Sequence, residues 1–147
     1  DQGEHQFRYA LYPHAGDWRQ ADSYRRGMEF NLPLHPVVVK SPSGGNLPPE
    51  SALLTTDADH VVLSVFKAVR DIETRPRFAV RVHEVEGRAG EISIRFPFAV
   101  ARAWRANLME DLQEELTHEG NIVRVPVTPL QLTTVVVQPS FGQASGE

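Results

Sequence analysis

The most constraining feature of this chain is a set of short runs in which apolar side chains recur at every second residue. Phe78, Val80 and Val82 alternate with Ala79, Arg81 and His83, and Ile92, Ile94, Phe96 and Phe98 alternate with Ser93 and Arg95. That period sends successive side chains to opposite faces of a strand, one face dry and the other wet. Between the two runs stands Glu86-Gly87-Arg88-Ala89-Gly90, a glycine-bearing turn of hairpin length, so 78–98 is expected to fold as a β-hairpin.

Further short segments follow the same logic. Phe7, Tyr9 and Leu11 alternate with Gln6, Arg8 and Ala10, so 5–12 reads as a half-buried strand, ended by Pro13, His14, Ala15 and Gly16. Asp17 offers an N-cap oxygen, and Trp18, Ala21, Arg25 and Met28 recur at helical spacing; a short helix is expected over 18–29, stopped by Asn31 and Pro33. Residues 41–50 hold three prolines and two glycines and read as a loop, with strand material on either side at 37–40 and 52–56 and a turn at Asp57-Ala58-Asp59. Val61 to Val69 is apolar on both faces, the pattern of a strand in the middle of a sandwich. The last strand is expected to run through Leu130, Leu132 and Thr134 into Val135-Val136-Val137, with Pro126 and Pro129 confined to a strand start, an edge or a bulge. Residues 104–116 are open: Trp104, Leu108, Leu112 and Leu116 recur every four residues, as in an amphipathic helix whose wet face is Glu110, Asp111, Glu114 and Glu115. No β-α alternation supports a parallel sheet. The fold class is therefore all-β: an antiparallel β-sandwich with one short helix near the N-terminus.

Composition narrows the function. A chain of 147 residues suggests one domain, large enough to bury roughly 68–70% of its unfolded surface without disulfides. There is no cysteine, which excludes disulfides, zinc thiolates and cysteine nucleophiles. No apolar run approaches the ~20 residues of a membrane-spanning helix, so no membrane partner is expected. The net charge of −4 repels polyphosphate, and Arg19, Arg25 and Arg26 read as the solvent face of the short helix, so no nucleic-acid partner is expected either. The chain opens at Asp1 with no leader-like segment. The expectation is a terminus made by a cloning boundary or by proteolysis, with a larger protein upstream, and a cytoplasmic location.

A search for chemistry finds no self-contained constellation. His5, His14, His35, His60, His83 and His118 form no His-x-His or His-Glu-x-x-His pair, so no metal ligand set is expected within the chain. Glu110/Asp111 and Glu114/Glu115 are adjacent acids on a wet surface, whereas a retaining glycosidase needs two carboxyls about 5–5.5 Å apart across its substrate. Ser64 and Ser93 lie in strands outside any nucleophile elbow. Gly44-Gly45 opens no helix after a strand, so it is no phosphate loop. Trp18, Trp104, Tyr9, Tyr12 and Tyr24 could stack on sugars or fill core and interface positions. No catalytic or metal residue is assigned, and substrate-binding residues are left unknown.

A resemblance adds to this. The run Asp1-Gln2-Gly3-Glu4-His5-Gln6-Phe7-Arg8-Tyr9-Ala10-Leu11-Tyr12-Pro13-His14, followed by Gly16-Asp17-Trp18, resembles a late segment of the glycoside hydrolase family 38 α-mannosidases, of bacterial type. Asn31-x-Pro33-Leu34, His60-Val61-Val62-Leu63-Ser64-Val65-Phe66-Lys67, Arg81-Val82-His83-Glu84-x-x-Gly87-Arg88-Ala89-Gly90 and Asn107-Leu108-Met109-Glu110 are similar to later elements of that family, in order. One departure stands at Gln131, where the family usually has a glutamate; an ion pair made by that glutamate in relatives is not available here.

The resemblance implies an accessory C-terminal β domain of an enzyme that hydrolyses terminal α-mannosides in glycans or oligosaccharides. It implies a divalent metal, usually zinc, and an aspartate nucleophile in a catalytic domain outside this chain. It also sets helix and strand level at 104–116. In domain terms, 1–30 would be the end of a preceding larger β-sandwich, 31–137 the small terminal one, and 138–147 a frayed tail. The expected partner is the parent's catalytic domain, docked on an apolar patch, with the α-mannoside touched only indirectly; a homo-oligomer stays open. The alternatives are an independent carbohydrate-binding module, which calls for exposed aromatics, and a self-sufficient enzyme, which lacks convergent carboxylates.

Overall fold

Strand-forming sequence dominates the part of the chain that follows the proline-rich stretch, and helix-forming sequence is confined to the part before it. The computed structural model describes residues 2–38, 48–69 and 76–140, and the chain divides into two units, Asp1–Gly44 and Gly45–Glu147. In the first, the regular element is helix α1 (Ser23–Asn31). Asp17 caps a turn ahead of it: its Oδ1 accepts the Arg19 and Gln20 amides at 2.9 and 3.0 Å, and Gln20 Oε1 accepts the Asp17 amide at 3.1 Å. This reciprocal arrangement is a capping box. Asp22, in the left-handed region at φ 53°, then separates that turn from α1, so the helix starts later than the cap residue alone suggests. The strand expected at 5–12 does not form among the described residues: nothing pairs with it, and Phe7, Tyr9 and Leu11 are 84%, 89% and 92% exposed. Alternation is a necessary pattern, but a strand exists only against a ladder partner.

The second unit holds β1 (Thr55–Thr56), β2 (Val61–Ala68), β3 (Phe78–Glu84), β4 (Gly90–Arg95), β5 (Val100–Ala106), β6 (Leu112–Glu115), β7 (His118–Glu119), β8 (Ile122–Val127) and β9 (Leu132–Pro139). They make two antiparallel sheets, of order β1-β4-β8-β7 and β2-β3-β9-β5-β6. One core joins the sheets. Ile92, Ile94, Val123, Val125 and Val127 come from the four-stranded sheet; Val61, Val80, Val82, Val100, Ala103, Val135 and Val137 come from the five-stranded one. Phe66, Phe78, Phe98 and Phe96 form a chain of ring contacts at 5.4–5.7 Å beside that core. The all-β sandwich with one short helix is thus the observed fold.

Several pairings differ from expectation. β3 and β4 do not form a hairpin: β3 pairs with β2 and β9, β4 with β1 and β8. Both strands point their apolar side chains at the same core from opposite sides, and the turn between them crosses from sheet to sheet. β2 is an edge strand with a bulge between Leu63 and Val65, and the strand buried on both faces is β9, where Thr133 to Val137 are all buried. Leu130 lies in a turn at φ 56° and β9 begins at Leu132. That strand continues to Pro139, past the expected start of a polar tail; residues 141–147 lie outside the described set. Of the strand material flanking the loop, only Thr55–Thr56 forms a strand; Val37 and Val38 are exposed without one, and 39–47 lie outside the described residues. Pro126 pairs with Glu91 on β4, while β7 reaches only Ile122 and Val123, so the proline sits where its missing N–H leaves no ladder gap.

Residues 104–116 are a β-hairpin, not a helix. β5 and β6 are joined through Asn107–Asp111, and Leu108 and Leu112 are exposed where a helix would have buried them with Trp104 and Leu116.

Candidate functional site

The outer face of the five-stranded sheet, turned away from the main core, carries the densest side-chain chemistry. A small apolar cluster of Val69, Ala79, Trp104, Ala106 and Val136 lies on it. Trp104 is only 7% exposed, and the guanidinium groups of Arg102 and Arg77 lie over its ring at 4.6 and 5.5 Å. Arg102 also forks onto Glu115 at 3.1 and 3.3 Å; that hydrogen bond holds the Glu115 carboxyl below its usual range. A ring covered in this way offers no flat surface for a sugar.

One row across this face reads Val65, Arg81, Thr134, Ala106, Leu112. The β5–β6 turn folds back over that row. Asn107 shapes the turn: its Oδ1 accepts the Met109 and Asp111 amides at 2.9 and 3.0 Å, and its Nδ2 donates to Asp111 Oδ2 at 2.8 Å. Glu110, in the left-handed region at φ 72°, turns its carboxylate onto Lys67 Nζ at 2.6 Å and Arg81 Nη2 at 3.3 Å. Arg81 also donates to the Leu108 carbonyl at 3.0 Å. With its polar groups tied down, the turn leaves Leu108 and Met109 59% and 82% exposed, beside Leu112 and Leu132 at 39% and 42%.

The acids therefore do not converge. Glu110 serves the tether, Asp111 the turn, Glu115 its arginine, and Glu114 is exposed on β6. Among the described residues, Glu84 is the only charged residue that is fully buried. It closes the crossing between sheets: Oε1 accepts the Glu86 amide at 2.9 Å, and Oε2 accepts those of Gly87 and Leu130 at 2.9 and 2.7 Å. Burial alone would raise its pKa, but the amides of Leu130, Arg88, Glu86 and Gly87 together outweigh burial and hold it at about 2. A carboxyl so committed is neither acid nor base near neutrality. Gln131 takes part through its backbone, accepting the Glu84 amide at 3.1 Å, and its side chain is exposed.

The remaining candidates are scattered. Among the described residues, no three His, Asp or Glu residues gather to hold a metal. His60 contacts Asp59 at 3.3 Å, and His5 and His14 lie beside Phe7 and Tyr12. Ser64 Oγ donates to the Arg81 carbonyl, and Ser93 Oγ accepts from Arg124. On α1 and the turn before it, Arg19, Arg25 and Arg26 each face a carboxylate, of Asp17, Asp22 and Glu29 respectively. A groove of about 230 Å³ on the four-stranded sheet is lined by Thr55, Thr56, Asp57, Ser93, Arg95 and Ile122, with no aromatic floor. Tyr12, Trp18 and Tyr24 are partly exposed in the first unit, where Trp18 stacks with Arg19 at 4.2 Å. No helix is long and apolar enough to cross a membrane among the described residues.

Comparison with known proteins bears on this surface. Residues 60–135 match the family described as the glycosyl hydrolases family 38 C-terminal beta sandwich domain, a span that runs from the start of β2 into β9. The chain is similar to alpha-mannosidase 2C1 of Homo sapiens, 27% identical over 143 residues, and to alpha-mannosidase 2C1 of Mus musculus, 24% identical over 140 residues. These alignments take in 95% and 93% of this chain but 14% and 13% of the relatives, so it spans about one-seventh of their length.

Proposed function

We propose, from the premise that this chain belongs to the glycosyl hydrolases family 38 C-terminal beta sandwich domain family, that it serves as an accessory, non-catalytic β domain of an α-mannosidase acting on terminal α-mannosides. The observation that carries this reading is where the family match falls: on a sandwich whose buried carboxylate is committed to backbone amides and whose Glu110, Asp111 and Glu115 are committed to cations and a turn. In this reading the divalent metal and the aspartate nucleophile belong to a catalytic domain elsewhere in the polypeptide. Residues 1–30 close a preceding β-sandwich, which would give the alternating Phe7, Tyr9 and Leu11 a sheet to join. A carbohydrate-binding role for the sandwich itself is disfavoured, because every aromatic residue described in Gly45–Glu147 is at least partly buried; the exposed aromatics, Phe7, Tyr9, Tyr12, Trp18 and Tyr24, lie in the first unit.

The test is enzymatic and calorimetric. The 147-residue chain is expected to leave a nitrophenyl α-mannoside intact and to give no heat on titration with mannose or α-mannobiose. The longer polypeptide that carries it is expected to hydrolyse the same substrate and to lose that activity on chelation. Turnover by the purified chain itself, surviving chelation, would overturn the proposal; saturable heat with mannose would favour the binding module instead.

A further inference from the structure

Two arginines on the outer face of the five-stranded sheet meet carboxylates differently. Arg102 presents the Nε–Nη2 edge of its guanidinium to Glu115, and the carboxylate answers with both oxygens, at 3.1 and 3.3 Å. That two-point contact is what a planar guanidinium is shaped for. Arg81 presents the same edge beneath the β5–β6 turn, but only half of it is used. Its Nη2 donates to Glu110 Oε1 at 3.3 Å and to the Leu108 carbonyl at 3.0 Å. Its Nε is buried with no hydrogen-bond partner among the described residues. Thr134, the ladder partner of Arg81, is 2% exposed, and its buried hydroxyl is unpartnered as well. Buried polar groups are satisfied in the great majority, so two unmet cross-strand neighbours under one turn call for a ligand.

Glu110 is an imperfect occupant of this place. It stands at φ 72°, a backbone region that disfavours residues with a Cβ, and Lys67 Nζ and Arg81 Nη2 both meet its Oε1. A carboxylate free of the chain carries no such strain. It would set one oxygen on Arg81 Nε and the other on Nη2, with the Thr134 hydroxyl and the half-exposed Lys67 ammonium as further donors. We propose that Lys67, Arg81 and Thr134 form a carboxylate-binding site which the chain's own Glu110 fills, and from which an incoming carboxylate displaces it. Displacement breaks the Lys67 and Arg81 ties, while the Asn107 bonds keep the turn itself together as it swings outward. The inference stands apart from the accessory-domain reading, since every group in it belongs to this chain.

The experiment is an NMR titration of the 147-residue chain, unsubstituted and as Glu110→Gly, which tolerates the left-handed turn and removes the competitor. The probe is acetate, with chloride at equal ionic strength as the reference, read on the Arg81 Nε–H and on the amides of 107–111. Glu110→Gly is expected to bind acetate saturably and about tenfold more tightly than the unsubstituted chain, as a site freed from an occupant present about nine-tenths of the time would. In that background, Arg81→Lys and Thr134→Val are each expected to weaken binding about threefold or more, since lysine has no fork and valine no hydroxyl. Shifts no larger than those with chloride overturn the site. Binding undiminished by Arg81→Lys reduces it to the charge of Lys67 and overturns it too, and equal affinity with and without Glu110 overturns the displacement. If the glycine variant loses its cooperative melt, Glu110→Gln, which keeps the side-chain volume and drops the charge, carries the same titration. N-acetylleucine against N-acetylleucinamide then separates two sources of the same chemistry. The acid binding more tightly than acetate supports the site with a chain-terminal carboxylate as its ligand; the acid binding no more tightly supports it with a small free acid.

Discussion

At the scale of single residues, Glu84 does the most to define this sandwich. It sits at the end of β3, fully buried, and its two oxygens gather amides from the turn that follows β3 and from the turn that precedes β9. Replacing it by glutamine keeps one acceptor and puts an NH2 group against an amide it cannot receive. Leaving a buried donor unmet while losing charge-assisted bonds costs about 2–3 kcal/mol, so Glu84→Gln is expected to lower the urea midpoint at neutral pH accordingly. The pH dependence follows from the same geometry. The folded carboxyl titrates at about 2 and the ordinary value is 4.5. A carboxyl depressed on folding stabilises above its unfolded value, and that contribution disappears as pH falls from about 4.5 towards 2. The native chain should therefore lose on the order of 3 kcal/mol across that window from this group, and the glutamine variant should show a flatter acid limb in the same denaturation series. The sequence displays Glu84 only as one letter in a family-like motif. Its function in the fold depends on a partner, Leu130, that lies 46 residues along the chain, and no local pattern announces that.

At the scale of elements, what the sequence exposes and what it hides have a common cause. Alternation is local, so β3, β4 and much of β9 are legible as strands. Which strands pair is not local, and the same alternation serves a hairpin or a crossing between sheets equally well. β3 and β4 look like a hairpin because their turn is short and contains glycine; they are separated because the Glu84 carboxylate, and not a cross-strand ladder, organises that turn. The Trp104-Leu108-Leu112-Leu116 spacing mimics a helix because a five-residue turn between two strands happens to repeat the period, while Leu108 in fact faces water. β8 escapes notice because Pro126 interrupts an otherwise regular Val123, Val125, Val127 series. The β5–β6 turn is testable on its own terms. Asn107→Ala removes an acceptor shared by two amides and a donor to Asp111, which should cost about 1–2 kcal/mol. In a domain of this size that corresponds to a fall of roughly 4–8 °C in melting temperature per kcal/mol. A melt indistinguishable from that of the unsubstituted chain would mean that the turn is held by Glu110 and its two cations alone.

At the scale of the whole molecule, the question is where the folding free energy resides. Every residue buried among the described ones lies at Val61 or beyond, and the main core draws all its members from the strands of the Gly45–Glu147 unit and their flanks. Apolar burial is the dominant favourable term in folding, so the described residues of the first unit, 2–38, contribute little of it: α1 buries no residue, and Phe7, Tyr9 and Leu11 stand in water. A chain beginning at Gly45 keeps both sheets, the Glu84 bonds and the Glu110 tether. It is expected to unfold in one cooperative step, with a melting temperature within about 3 °C of the longer chain, a difference smaller than one core methylene typically produces. Scanning calorimetry on the two chains compares them directly. A fall of about 10 °C or more, or loss of the transition, would show that the sandwich draws stability from the first unit, and would remove the basis for treating β1 to β9 as a module that a larger hydrolase carries already folded.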